Sequence, residues 1–96
     1  MTPAAFTVRT TSRYDRLSNK LQKSHRDFDA AEKRAAAILS EDPHNRSRQH
    51  HIKKLEGVAR GEGQYRLSLG RLRFRYDIVD QLVWLHYCGL RREDTY

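Results

Sequence analysis

The stretch Tyr65-Arg66-Leu67-Ser68-Leu69-Gly70-Arg71-Leu72-Arg73-Phe74-Arg75-Tyr76-Asp77-Ile78 decides the fold. Apolar residues recur at every second position on both sides of Gly70. That is the period of a half-buried strand, whose successive side chains point to opposite faces. Tyr65, Leu67 and Leu69 form the apolar set of one strand, and Leu72, Phe74, Tyr76 and Ile78 that of the next. Gly70 marks the turn between them. If both apolar sets face a core, then Arg66, Arg71, Arg73 and Arg75 share the opposite face.

Toward the C-terminus, Asp80 marks a second turn, and Leu82 to Cys88 is apolar on both faces apart from His86. A strand apolar on both faces is expected at the centre of a sheet. Gly89 ends it. In the other direction, residues 43–63 read as a loop, opened by Pro43-His44-Asn45 and closed by Gly61-Glu62-Gly63, with Ile52 and Leu55 as its large apolar anchors. A loop this long in a small domain is often functional. Before it lie two helical patterns. Tyr14, Leu17 and Leu21 follow a start signal of Ser12 with Asp15. Phe28, Ala31, Ala35 and Ile38 follow Ser24 with Asp27, and Pro43 ends the pattern. Ala5 to Thr10 alternates, with Phe6 and Val8 on one face, and reads as a first strand. The expected fold is α+β in the order β-α-α-β-β-β. A two-helix hairpin packs on one face of a small, mostly antiparallel sheet. Residues 1–96 are expected to form a single domain.

Charge is gathered on the stretch that decides the fold. The chain has 19 Lys and Arg, of which 14 are Arg, against 12 acids, for a net charge of +7. Between His44 and Arg75, nine cations face only Glu56 and Glu62, which leaves +7, the excess of the whole chain. Arg grips phosphate through two parallel hydrogen bonds that Lys cannot make. GC-rich codon usage also raises Arg content, and an acidic protein partner also fits a basic segment. A nearly one-signed sheet face with no helix over it nevertheless points to phosphate, since a solvated face usually mixes signs. The single cysteine, Cys88, excludes an internal disulfide, and no apolar run approaches the ~20 residues that span a bilayer. With no apolar signal core before Thr11, the protein is expected in the cytoplasm, off the membrane.

The five histidines and one cysteine show no zinc spacing, and no cofactor is expected. His50 and His51, just before Lys53-Lys54-Leu55, are candidates for a general base, since histidine titrates near neutral pH. Plain loop histidines would look the same. His86 reads as a hydrogen-bonded core residue, and Trp84, Tyr87 and Phe74 as core. Arg13, Arg16, Lys20 and Lys23 read as a solvated helix face.

Four segments together resemble the RelE/ParE toxin superfamily. They are Ile52-Lys53-Lys54-Leu55-Glu56-Gly57, Gln64-Tyr65-Arg66-Leu67, Gly70 to Ile78, and Leu85-His86-Tyr87-Cys88-Gly89-Leu90-Arg91-Arg92-Glu93-Asp94-Thr95-Tyr96. The pattern is a K-L-x-G step, a Y-R strand, an R-x-x-Y strand and a G-x-R…Y ending. Its order and spacing match over essentially the whole chain. The resemblance implies the toxin of a bacterial type II toxin–antitoxin pair. RelE-like members cut messenger RNA in the ribosomal A site by attack of the RNA 2′-hydroxyl on the adjacent phosphate. ParE-like members instead inhibit DNA gyrase without cleaving. The implied partners are a cognate antitoxin, the ribosome with its mRNA, and operator DNA reached only through the antitoxin complex. DNA gyrase is the alternative partner.

On the RelE-like reading, Arg73 matches the main phosphate-stabilising arginine, and Arg66 matches a cation on the preceding strand. Arg91 matches the C-terminal arginine, and Tyr96 the tyrosine that contacts the substrate nucleotide. Ser68 stands where a second lysine would sit. His50, Lys53, Lys54, Arg71, Arg75 and Arg92 are the further residues expected to contact RNA.

Overall fold

Tyr65–Leu69 and Leu72–Val79 pair as antiparallel strands about the Gly70-Arg71 turn, with Leu67 opposite Phe74 and Ser68 opposite Arg73. The computed structural model describes residues 5–91. In chain order its elements are β1 (Thr7–Thr10), α1 (Ser12–Ser24), α2 (Phe28–Glu41), β2 (Ile52–Lys54), β3 (Tyr65–Leu69), β4 (Leu72–Val79) and β5 (Leu82–Leu90). They form one five-stranded sheet in the order β1-β5-β4-β3-β2. Three neighbouring pairs are antiparallel, and β1 runs parallel to β5. The expected α+β arrangement is therefore present, with one strand more than the sequence reading supplied. The addition is β2, inside the stretch read as a loop. Three residues are too few to display a period of two, and Ile52 alone turns toward the core, opposite Leu67. The doubly apolar β5 is an interior strand, but β4 is the middle one.

The core lies between the helices and one face of the sheet. Phe28, Ala35 and Leu39 of α2 are fully buried together with Leu67, Phe74, Tyr76 and Val83. Phe28 and Phe74 stack at 6.1 Å between ring centroids. The Tyr76 hydroxyl donates to the Pro43 carbonyl at 2.7 Å, which fastens the end of α2 to the sheet.

Both helices start elsewhere than expected. Thr11, not Ser12, caps α1, and its Oγ1 accepts from the Tyr14 N–H at 3.2 Å. Thr11 also donates its own N–H to the Leu85 carbonyl, so the cap and the β1–β5 seam share one residue. Ser24 ends α1 by bonding back to the Lys20 carbonyl, and α2 begins after Asp27 with no side-chain cap. Ser18 joins the buried face of α1, which apolar spacing could not show. Its Oγ donates to Glu32 Oε2 at 2.6 Å, beside the Tyr14 hydroxyl at 2.8 Å. Burial, and then this bond to Glu32, holds the Tyr14 phenol well above its ordinary pKa. Burial, and then the Glu32 charge, pushes the nearby Cys88 thiol up to about 12, so it stays unreactive. Among the described residues, no helix is long and apolar enough to cross a membrane.

Candidate nucleic-acid interface

The face of the sheet turned away from the helices is built in cross-strand rows. One row runs Lys53, Arg66, Arg75, Tyr87 across β2, β3, β4 and β5. The next runs Ser68, Arg73, Gly89. The Ser68 N–H donates to the His51 carbonyl at 2.9 Å, so the β2–β3 ladder continues one step and sets His51 at the end of this second row. Strand alternation then turns His51 to the same side as Arg73, because Ile52 turns to the core. Arg91 follows β5 directly, and its N–H donates to the Arg71 carbonyl at 2.7 Å, which holds it beside the β3–β4 turn.

Three expected site residues are thereby brought together. Burial first, and then the charges of Arg66 and Arg91, make the Arg73 guanidinium easier to deprotonate than an isolated one. Arg73 Nη1 rests on the carbonyls of Gly70 and Leu72, at 2.7 and 2.9 Å. The buried Nε of Arg66 has no acceptor among the described residues. A buried donor left unpaired costs about 1–3 kcal/mol, and an anion bound there would recover it. Converging guanidinium groups with a spare donor are suited to phosphate oxygens.

The other expected residues are more scattered. Arg75 lies in the row beside Arg66, with its Nε donating to the Gly63 carbonyl at 3.1 Å. Lys53 is exposed in the same row. Lys54 falls on the opposite face, its ammonium 5.7 Å from the Tyr65 ring centroid. Arg71 sits in the turn rather than on the strand face where alternation put it. His50 is drawn into its loop: Asn45 bonds both its backbone groups, and its Nε2 lies 3.9 Å from Asp42. Arg92 and Tyr96 lie outside the described residues.

Trp84 and Tyr87 correct the expectation that they belong to the core with Phe74. Phe74 is fully buried, but Trp84 and Tyr87 are half-buried on the open face. Trp84 reaches that face by plain alternation between the core residues Val83 and Leu85, and Tyr87 reaches it through a bulge in the β4–β5 pairing. Arg75 faces Tyr87 and Tyr76 faces Leu85, so β5 carries His86 as an extra residue. Leu85 and Cys88 both reach the core although they are three apart, and strict alternation fails there. His86 is hydrogen-bonded as expected, through Nε2 to Asp77 Oδ2 at 2.9 Å, but it too lies on the open side.

A separate groove between α1, α2 and β1, lined by Val8, Tyr14, Ser18, Glu32, Lys33 and Leu85, lies on the helix side, away from the arginines. Among the described residues, no group of three or more His, Cys, Asp or Glu is gathered to hold a metal ion.

Comparison with known proteins agrees with this architecture. No protein-family model matches the chain, and no curated protein sequence matches it. Two solved structures do. YafQ, from the E. coli DinJ–YafQ toxin–antitoxin complex, superposes with a TM-score of 0.69 at 16% identity, covering 90% of this chain and 92% of that one. RelE, from the archaeal RelE–RelB complex of Pyrococcus horikoshii OT3, superposes with a TM-score of 0.61 at 24% identity, covering 93% and 98%. Two helices on one face of a mixed five-stranded sheet, matched over nearly their full length, are the fold of RelE-like toxins.

Proposed function

We propose that this protein is the toxin of a bacterial type II toxin–antitoxin pair and cuts messenger RNA on the ribosome, in the cytoplasm. The observation that carries the reading is the convergence of Arg66, Arg73 and Arg91 on one open sheet face. Attack of a 2′-hydroxyl on the adjacent phosphate forms a 2′-O–P bond and breaks the bond from phosphorus to the 5′-oxygen. Extra negative charge gathers on the phosphate oxygens in the transition state. Fixed cations at that point lower the barrier, and losing one such donor typically costs about 10²–10³ in rate. Arginines stay charged and cannot take the proton of the attacking hydroxyl. His51, in the row of Ser68 and Arg73, is the acceptor in this reading, and the leaving 5′-oxygen takes its proton from solvent. His51 then occupies the space beside Ser68, where a second cation is missing.

The fold shared with YafQ and RelE, both found in complexes with antitoxins, supports a cognate antitoxin as partner. It also favours cleavage over gyrase inhibition, for which a cluster of phosphate-binding arginines has no evident use. Tyr96 is assigned a contact with the substrate nucleotide on the resemblance alone.

The test is induction in bacteria with message ends mapped by primer extension. Cuts inside translated codons are expected, absent when translation is blocked and reduced at least about a hundredfold by Arg73→Ala. Growth arrest without such cuts would sink the nuclease reading.

A further inference from the structure

Tyr87 stands apart from the core tyrosines. Tyr14 and Tyr76 bond inward, to Glu32 and to the Pro43 carbonyl. The β-bulge turns Tyr87 onto the open face instead, opposite Arg75. From there its ring runs two residues along the strand, past Cys88, and lies over Gly89. A Cβ at Gly89 would overlap the Tyr87 hydroxyl and stand 2.7 Å from Cζ, so glycine leaves the ring its place and a side chain there would push it aside. Gly89 is the register partner of Arg73. The hydroxyl is therefore carried to within about one strand spacing of the Arg73 backbone, roughly 5 Å. Both side chains lean toward the β3–β4 turn, Tyr87 over Gly89 and Arg73 onto the Gly70 carbonyl. Arg91 is anchored at that same end. From the other side, Arg13 reaches over the sheet edge from the first turn of α1. Its guanidinium stands 5.7 Å from the Tyr87 ring centroid. With the glycine on one side and a cation on the other, the ring is clamped, and the hydroxyl is its working end.

Taking the nuclease reading as given, we propose that Tyr87 is a further substrate-contacting residue: its hydroxyl donates a hydrogen bond to the phosphate that Arg73 holds, and Arg13 is the positioning residue that fixes the ring. A neutral donor suits this place. It stabilises developing charge on a phosphate oxygen without adding a fourth cation to a cluster whose members already repel one another. The α1 cation that sequence reading assigned to a solvated face thereby gains a task.

The experiment is single-turnover cleavage on mRNA-programmed ribosomes. It compares the wild type with Tyr87→Phe, Tyr87→Leu, Arg13→Gln and Arg73→Ala, with thermal melting of each protein. Phe keeps the ring and its contacts and removes only the hydroxyl. The expected result for Tyr87→Phe is a rate constant lowered about tenfold to a hundredfold at saturating ribosomes. Half-saturation and melting temperature should stay unchanged. Arg13→Gln should lower the same rate constant by a smaller factor, and Tyr87→Leu by at least as much as Phe. A Tyr87→Phe protein that cleaves like the wild type while Arg73→Ala is inactive overturns the proposal and leaves the nuclease reading intact. A wild type that cuts nothing overturns both.

Discussion

Asp77 is the lone acid in an alternation of arginines, and its surroundings explain its presence. It is fully buried on the open side of the sheet. Its carboxylate accepts the backbone N–H groups of Gly61, Gly63 and Gln64 at 2.7, 3.1 and 2.9 Å, and His86 closes the set. The 55–64 loop is thereby drawn against β4, where Gly63 approaches so closely that a Cβ would lie 2.8 Å from the Arg75 Cβ. Burial works against the charge, but the three backbone donors and then His86 outweigh it and hold the carboxyl below its ordinary 3.8. A carboxyl lowered in the folded state contributes stability that is complete above its ordinary pKa and is lost as the pH falls through the folded value. Stability should therefore drop below about pH 4, with Asp42 acting in the same direction. Asp77→Asn should cost about 2–4 kcal/mol at pH 7, because an amide cannot satisfy three donors and a histidine at once. Urea unfolding at pH 7 and pH 3 checks both points, with a smaller acid loss expected in the variant. Sequence alone marked Asp77 only as an exception to a basic face. Its partners lie 13–16 residues away in a loop without periodicity, so no local pattern could assign them.

At the scale of elements, β3 and β4 were legible because each pairs with a neighbour across a short turn and keeps strict alternation. What defeated the reading was tertiary. The bulge opposite Arg75 and Tyr76 resets the faces of β5 and exchanges Tyr87 from core to open side. The capping residue of α1 is displaced from Ser12 to Thr11 because Thr11 is already held by Leu85 across the sheet. Thr11→Ala should destabilise the protein by about 1 kcal/mol, while Ser12→Ala should be nearly neutral. Thermal melts of the two variants separate the alternatives, and a larger loss at Ser12 would contradict the assignment.

For the whole molecule, an excess of +7 lies between His44 and Arg75, where Lys53, Arg66, Arg73 and Arg75 reach the uncovered face of the sheet, and the charge of that segment was legible from composition along the chain. Gathering Arg66, Arg73 and Arg91 around one point was legible only through a family resemblance, since Arg91 reaches the others through strand order that sequence spacing does not encode. If single-stranded RNA meets this face and about three phosphates are neutralised, affinity should fall about twentyfold for a fourfold rise in salt. Titration of a 2′-O-methyl RNA oligonucleotide, which cannot be cleaved, at two salt concentrations measures the slope. A salt-independent affinity would exclude the arginine cluster as the contact.

The parallel pairing of β1 with β5 also bears on the order of events during synthesis. Thr7 must find Leu82, 75 residues later in the chain. Until β5 has been made, β1 has no partner, the capping residue of α1 has no carbonyl to hold it, and Arg91 does not yet exist beside Arg73. Closing so long a loop is slow compared with forming a hairpin. A nascent chain that stalls before β5 should therefore be protease-sensitive from end to end. The open face with its arginine cluster is therefore completed only by the last strand of the sheet to be made.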